Sequence, residues 1–191
     1  MPARDSDPLQ AFRKEIEKRR ESERRTNRVA LFPNKYEEET LFDIGSACAR
    51  LWNELSYEKG QAFFNRELSP KKRDEINKKY YHRYKEVLGV NAGQVVNKND
   101  EAWNAFFELL KHKKQEKGRL PPHIKNVSPP GYWKDRDTGE KKIHILIRND
   151  RYYLEPISED EGYIVLEDLD LRIRYVGRIR WEGKQGRLEI I

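Results

Sequence analysis

Two groups of cationic side chains in this sequence are spaced so that they could hold a polyanion. Leu171, Ile173 and Tyr175 alternate with Arg172 and Arg174, and Ile179 and Trp181 alternate with Arg178 and Arg180. A strand of this period buries one face and turns the other outward, so the arginines would stand in a row. Guanidinium forks match phosphate oxygens bidentately, and nearby aromatic rings can stack on bases. The bland alternative is a small sheet with an ordinary charged exterior. The second group is Lys71, Lys72, Arg73, Lys78, Lys79 and Arg83, with Lys85, set around Tyr80, Tyr81 and Tyr84. A basic, aromatic helix can lie along a phosphate backbone. The alternative puts its tyrosines in the core and its lysines in water. Reversing the strand arginines to Glu is expected to weaken polyanion binding without unfolding the chain.

Other chemistries find little support. His82, His112, His123 and His144 are scattered, and no two have the helical H-x-x-x-H spacing of metal ligands. There is no G-x-S-x-G elbow, no P-loop and no dinucleotide-binding glycine motif. Cys48 is the single cysteine, so neither an intrachain disulfide nor a cysteine-rich zinc site can form. The acidic run Ser158-Glu-Asp-Glu-Gly162 could collect a cation, but reads more simply as a solvated turn. No catalytic residue, metal or cofactor is expected.

The elements that would position these residues follow from periodicity and end signals. Residues 1–27 are dominated by charge, with Phe12 and Ile16 able to share a helix face, and read as a solvated helix or basic arm. Arg28-Val-Ala-Leu-Phe predicts a strand ended by Pro33. Asn34 suits a helix N-cap with Glu37 completing a capping box. Leu41, Ile44, Cys48, Leu51 or Trp52, and Leu55 then form a helical stripe. Ser69-Pro70 starts a second helix, carrying Ile76, Tyr80, Tyr84 and Val87 or Leu88 on one face and ending at Gly89. Asn91 can cap a third, with Val95 or Val96, Trp103, Phe106 or Phe107, and Leu110 inward. Prolines at 121, 122, 129 and 130 break the helical pattern. Ile143-His-Ile-Leu-Ile-Arg, Asn149-Asp150 and Arg-Tyr-Tyr-Leu then predict a hairpin. Strands at 163–166, 171–176, 178–181 and 187–191 follow, with turns at Gly177 and Gly183 to Gly186. The expected fold is α+β, a helical lobe inserted into a small antiparallel β-barrel. Its parts are a charged arm (1–27), a first barrel strand (28–33), a helical lobe (34–118), a Pro/Gly-rich connector (119–142) and the remaining barrel strands (143–191).

Composition agrees with this outline. The 191 residues allow a real core, and 10 Tyr, 7 Phe and 4 Trp argue against disorder for most of the chain. Lys and Arg number 39 against 33 Asp and Glu, a net charge of +6 that makes nucleic acid the first partner to consider. No apolar run approaches the roughly 20 residues of a membrane span, and the first residues lack the apolar core of a signal peptide. A reducing, cytoplasmic setting is expected.

Three segments, in order, resemble the TnpB/OrfB family, the RNA-guided nucleases of insertion sequences and relatives of type V CRISPR effectors. The first is Arg28-Val-Ala-Leu-Phe-Pro-Asn-Lys-Tyr-Glu-Glu-Glu, continuing to Ala47-Cys-Ala-Arg-Leu-Trp-Asn53. The second is Ala102-Trp-Asn-Ala-Phe-Phe-Glu-Leu-Leu-Lys, leading to Gly118-Arg-Leu-Pro-Pro. The third is Leu169-Asp-Leu-Arg-Ile-Arg-Tyr-Val-Gly-Arg-Ile-Arg-Trp. The resemblance implies a wedge-like oligonucleotide-binding barrel and a helical recognition lobe, elsewhere called a helix-turn-helix domain, that contact structured RNA, DNA or both during transposition. It also implies a metal-dependent RuvC-type nuclease domain and often a cysteine-rich zinc ribbon. Neither is present in these 191 residues, so the expectation is a non-catalytic amino-terminal portion, either a fragment or a stand-alone product. Two rivals remain: a nuclease subunit completed in trans by a separate RuvC-like domain, and a protein-interaction or regulatory module. Oligomeric state is left open.

Overall fold

Local signals in the sequence set the helix starts. The computed structural model describes residues 28–115, 124, 126–135, 137–179 and 188–191. The predicted charged arm, Arg180, Trp181 and the glycine turn at 183–186 lie outside them. Strand β1 (Ala30–Phe32) is followed by Pro33, and helix α1 (Lys35–Phe64) begins two residues after that proline. Its start is a reciprocal capping box. The Glu37 amide donates to Asn34 Oδ1 (3.0 Å), and the Asn34 amide donates to Glu37 Oε2 (2.7 Å). Two otherwise orphaned amides are thus satisfied, with Glu37 and Glu38 at the positive end of the helix dipole. Helix α2 (Pro70–Leu88) is capped by Ser69, whose Oγ accepts from the Lys72 amide (3.1 Å), and ends at Gly89 with φ +55°. Helix α3 spans Asn91–Gln115. The cap expected at Asn91 is not its role: Asn91 is already helical and buried, and its Oδ1 is turned 3.5 Å from the amide of Arg148.

The three helices bury the stripes that their spacing predicts. Leu41, Ile44, Cys48, Leu51, Trp52 and Leu55 of α1 meet Ile76, Tyr80, Tyr84 and Leu88 of α2, and Val95 and Val96 of α3. Each fully buried aliphatic side chain contributes about 1.5–3 kcal/mol relative to exposure. Val87 is left outside, at 61% exposure, which settles the inward position in favour of Leu88.

The strands beyond the connector are β2 (Ile145–Ile147), β3 (Tyr153–Pro156), β4 (Glu161–Leu166), β5 (Leu171–Val176) and β6 (Leu188–Ile190). They form two antiparallel sheets, one in the order β1-β5-β4-β3 and one of β2 with β6. The fold is therefore mixed α+β with three helices and antiparallel sheets, and among the described residues the strands do not close into a barrel. The hairpin expected across Asn149-Asp150 is also corrected. The chain does turn there, with Arg151 donating to the Arg148 carbonyl (3.0 Å) and the Arg148 side chain gripping Asp150. Yet β2 pairs with β6 and β3 pairs with β4. The reason is burial. All three residues of β2 are at most 1% exposed, so the segment is wanted by the core on both faces, whereas β3 is an edge strand. The expected strand at 178–181 is not seen in its described part, since Arg178 and Ile179 follow β5 as irregular chain.

The inner face of the four-stranded sheet carries Ile164, Leu166, Leu171, Ile173 and Tyr175, all buried. Backbones approach closely at Gly162, where a Cβ would lie 2.4 Å from the Glu155 carbonyl oxygen. Pairing of β1 with β5 puts the strand before the helices and the strands after them in one sheet.

Candidate nucleic-acid interface

Strand β5 is one of the two inner strands of the sheet, and its burial alternates strictly. Leu171, Ile173 and Tyr175 point to the core, while Arg172, Arg174 and Val176 point out. Across the outer face the register sets Phe32 beside Arg174, Arg174 beside Tyr163, and Tyr163 beside Glu155. A second row sets Arg172 beside Val165 and Val165 beside Tyr153. Both arginines lean along the strand to the next row. The Arg172 Nε donates to Glu155 Oε2 (2.8 Å), which lays its guanidinium over the Tyr163 ring with Cζ 3.5 Å from the centroid. Arg174 Nη2 donates to Glu161 Oε2 (2.6 Å). These hydrogen bonds to Glu155 and Glu161 raise the two guanidinium pKa values further above their ordinary level. Beyond the strand, Arg178 Nη2 donates to Glu159 Oε2 (2.7 Å). Arg180 lies outside the described residues. The acidic turn of residues 158–162 thus supplies partners to two of the arginines, a role that its reading as a plain solvated turn had missed. The signal was in the sequence as matched charge, but no spacing rule joins residues on different strands.

The helical candidates separate into three kinds. Lys71 is exposed and Lys72 partly so, near the amino terminus of α2. Lys78 is bridged to Asp74 one turn back (2.8 Å), and both are well exposed. Lys79 and Arg83 instead reach α1, at Glu58 Oε2 (2.6 Å) and Glu54 Oε2 (3.1 Å). Tyr80 and Tyr84 lie just inside these bridges. Burial first, then hydrogen bonds and charge from Glu58 and Glu54, push both phenols up to about 12. Arg73 belongs to a different setting. Its side chain is 17% exposed and bonds Asp100 Oδ1 (3.1 Å) and Asn104 Oδ1 (2.9 Å) of α3.

That setting is a polar knot between the helices which the sequence reading did not find. The Lys59 side chain is wholly buried and donates to Asn99 Oδ1 and Asp100 Oδ1, both at 2.8 Å. Asn77 also donates to Asp100, and Asn99 donates to Ser56 Oγ (3.0 Å). Burial lowers the Lys59 pKa against the opposing pull of Asp100. Burial would raise Asp100, but the bonds and charges of Lys59 and Arg73 hold it below the usual carboxylate value.

A third cluster anchors the connector. Trp133 is sandwiched between Trp52 (centroids 4.5 Å apart) and His144 (4.8 Å). Trp52 Nε1 donates to the Gly131 carbonyl (2.8 Å), and the Trp133 amide donates to Asn53 Oδ1 (2.7 Å). His144 Nε2 is 3.1 Å from Glu189 Oε2, and Lys98 grips the other oxygen of that carboxylate, Oε1.

None of these groupings has the form of a catalytic centre. Among the described residues no three His, Cys, Asp or Glu side chains gather as a metal site, and no helix is long and apolar enough to cross a membrane. Cys48 is buried, and burial pushes its thiol up to about 12, away from nucleophilic use. A cleft of about 610 Å³ between β1, the start of α1 and β6 is apolar apart from Arg28, Glu38 and Glu189.

No family model matches the chain, and no solved structure matches it. Over 170 residues, 89% of its length, the chain is 48% identical to the TnpB-like protein ORF457 of Acidianus two-tailed virus. It spans 36% of that relative's length. Identity at this level over nearly all of these residues carries the resemblance from three short segments to the chain as a whole: the chain belongs to the TnpB family.

Proposed function

We propose that this chain is a nucleic-acid-binding, non-catalytic portion of a TnpB-type protein, acting on structured RNA, on DNA, or on both in transposition within the cytoplasm. The observation that carries the reading is the outward display of Arg172 and Arg174 on an inner strand of a rigid sheet, beside exposed aromatic rings. Kinship with a TnpB-like protein supports it, as does the excess of Lys and Arg. We read the two sheets as parts of a wedge-type oligonucleotide-binding barrel, with the helices as a lobe inserted after its first strand. Pairing of β1 with β5 supports that division.

The carboxylate partners change what the arginines can offer. An exposed ion pair is worth about 0–1 kcal/mol. A carboxylate also occupies only part of a guanidinium's five donors, so phosphate can share or displace it. Arg172 and Arg174 on β5 and Arg178 just beyond it are the proposed contacts on this side, with Arg180 in the same stretch of sequence. Lys71, Lys72 and Lys78 are the proposed helical contacts. Lys79 and Arg83 contact phosphate only at the expense of the α1–α2 bridges. Arg73 is set aside for the polar knot.

The test is neutralisation rather than reversal, because Glu at 172 would face Glu155. In the triple variant Arg172→Gln, Arg174→Gln, Arg178→Gln, affinity for labelled RNA and DNA should fall at least tenfold. The slope of log affinity against log salt should flatten by about 1–3, roughly 0.7–0.9 for each lost phosphate contact. An affinity and slope equal to the parent's would remove these residues from the site.

A further inference from the structure

The outer face of the β1-β5-β4-β3 sheet combines two properties that a simple phosphate rail does not need. The first is exposed aromatic area. Phe32 is 56% exposed and Tyr153 40%, and both share this face with Tyr163. A large ring left in water on a sheet face forgoes burial and offers its face for stacking. The second is charge balance. Arg172 and Arg174 are matched on the face by Glu155 and Glu161, so their joint pull on a distant phosphate backbone is weak. A duplex presents mainly phosphates to such a surface. An unpaired strand presents the faces of its bases as well.

We infer that this face takes an unpaired stretch of nucleic acid, whose bases stack on Phe32 and on the Tyr163–Arg172 pair. This rests on the nucleic-acid-binding reading above and names the form of nucleic acid that this surface takes. The geometry is prepared for it. Glu155 holds the Arg172 guanidinium over the Tyr163 ring, its Cζ 3.5 Å from the centroid, so that the outer side of the planar guanidinium can itself take a stacked base. Phe32 and Tyr163 lie two strand spacings apart, about 10 Å, with Arg174 between them in the same row. Successive bases can rest on the two platforms while the linking phosphate meets the donors of Arg174 that Glu161 leaves free. The glutamates serve as aligners of the guanidinium groups, at the cost of long-range attraction. Stacking tolerates any base, so the face selects single-strandedness rather than sequence.

The experiment uses the whole chain and labelled single strands about a dozen nucleotides long, one RNA and one DNA, each also annealed to its complement. Fluorescence anisotropy across about 50–200 mM salt gives affinity and salt slope. Both single strands should bind at least tenfold tighter than their duplexes, and any difference between the two shows whether the sugar is read. Phe32→Ala and Tyr163→Ala should each weaken single-strand binding about fivefold to a hundredfold. Phe32→Trp and Tyr163→Phe should retain it, which a loss of folding would not allow. Duplexes binding as tightly as single strands overturn the inference. So do alanine variants that bind within twofold of the parent, and if the arginine-to-glutamine triple is weakened in the same series, the nucleic-acid-binding reading survives. Absence of binding to all four probes overturns both.

Discussion

At Gly45 helix α1 lies tight against the chain that follows the connector. A Cβ at this position would lie 2.3 Å from Ile143 Cγ2. That atom sits on a branched carbon and cannot swing clear without a rotamer change. Gly45→Ala gains helix propensity worth about 1 kcal/mol, but the clash costs more, because overpacking a filled site typically costs about 1–3 kcal/mol. The net outcome expected is a lower midpoint in thermal unfolding. Combining it with Ile143→Ala should cost less than the sum of the two single changes, since the second vacates the space that the first needs. An additive pair would show that the two residues do not press on each other. Neighbouring cations of α2 also differ in what they touch. Arg73 bonds two groups of α3 from a largely buried position, whereas Lys71 stands exposed on α2, though both were drawn from one basic run.

At the level of elements, the helices are joined by an ionic contact in their interior. Lys59 of α1, Arg73 and Asn77 of α2, and Asn99 and Asp100 of α3 meet in it. Asp100→Asn leaves Lys59 buried without its counter-charge, and breaking such a pair costs about 3 kcal/mol or more. Lys59→Met removes the need for a partner and should cost far less. Urea unfolding of the two variants gives the comparison, and a Lys59→Met as damaging as Asp100→Asn would mean that the pair stabilises outright. Acid should act in the same direction as Asp100→Asn. The folded pKa of Asp100 is lowered from 3.8, so its contribution is complete above that value and is lost as pH falls through the folded one. What sequence reading could reach at this scale was local. The Asn34–Glu37 box and the Leu41 to Leu55 stripe lie within one or a few helical turns, so spacing alone declares them. Lys59 and Asp100 lie 41 residues apart, and β2 and β6 are joined by pairing that no period encodes. The outward arginines of β5 were legible from alternation. Their glutamates were not, because register depends on the assembled sheet.

Across the whole molecule, the stack of Trp52, Trp133 and His144 ties helix, connector and the small sheet together, and it carries a dependence on acidity. The groups facing His144 are Trp133, Glu189 of β6, Lys98 of α3 and Lys142. Burial lowers the imidazole pKa from 6.5, outweighing the attraction of Glu189. The unfolded chain therefore takes up a proton that the folded one resists. Stability owed to neutral His144 is complete above 6.5 and declines as pH falls from there through the folded value. The melting temperature should drop over this window in the parent, and the drop should shrink in His144→Gln. An equal drop in both would assign it to other groups. Strand β1 has a consequence of another sort. Ala30 is paired with Val176, so 146 positions of chain are made between the two. At about 5–20 residues per second of synthesis, β1 is made roughly 7–30 s before its mate exists. The helices, whose contacts are nearer in sequence, have that interval in which to collapse first. The sheet can then be completed only as the last strands arrive, with an edge exposed to chaperones or to neighbouring nascent chains until they do.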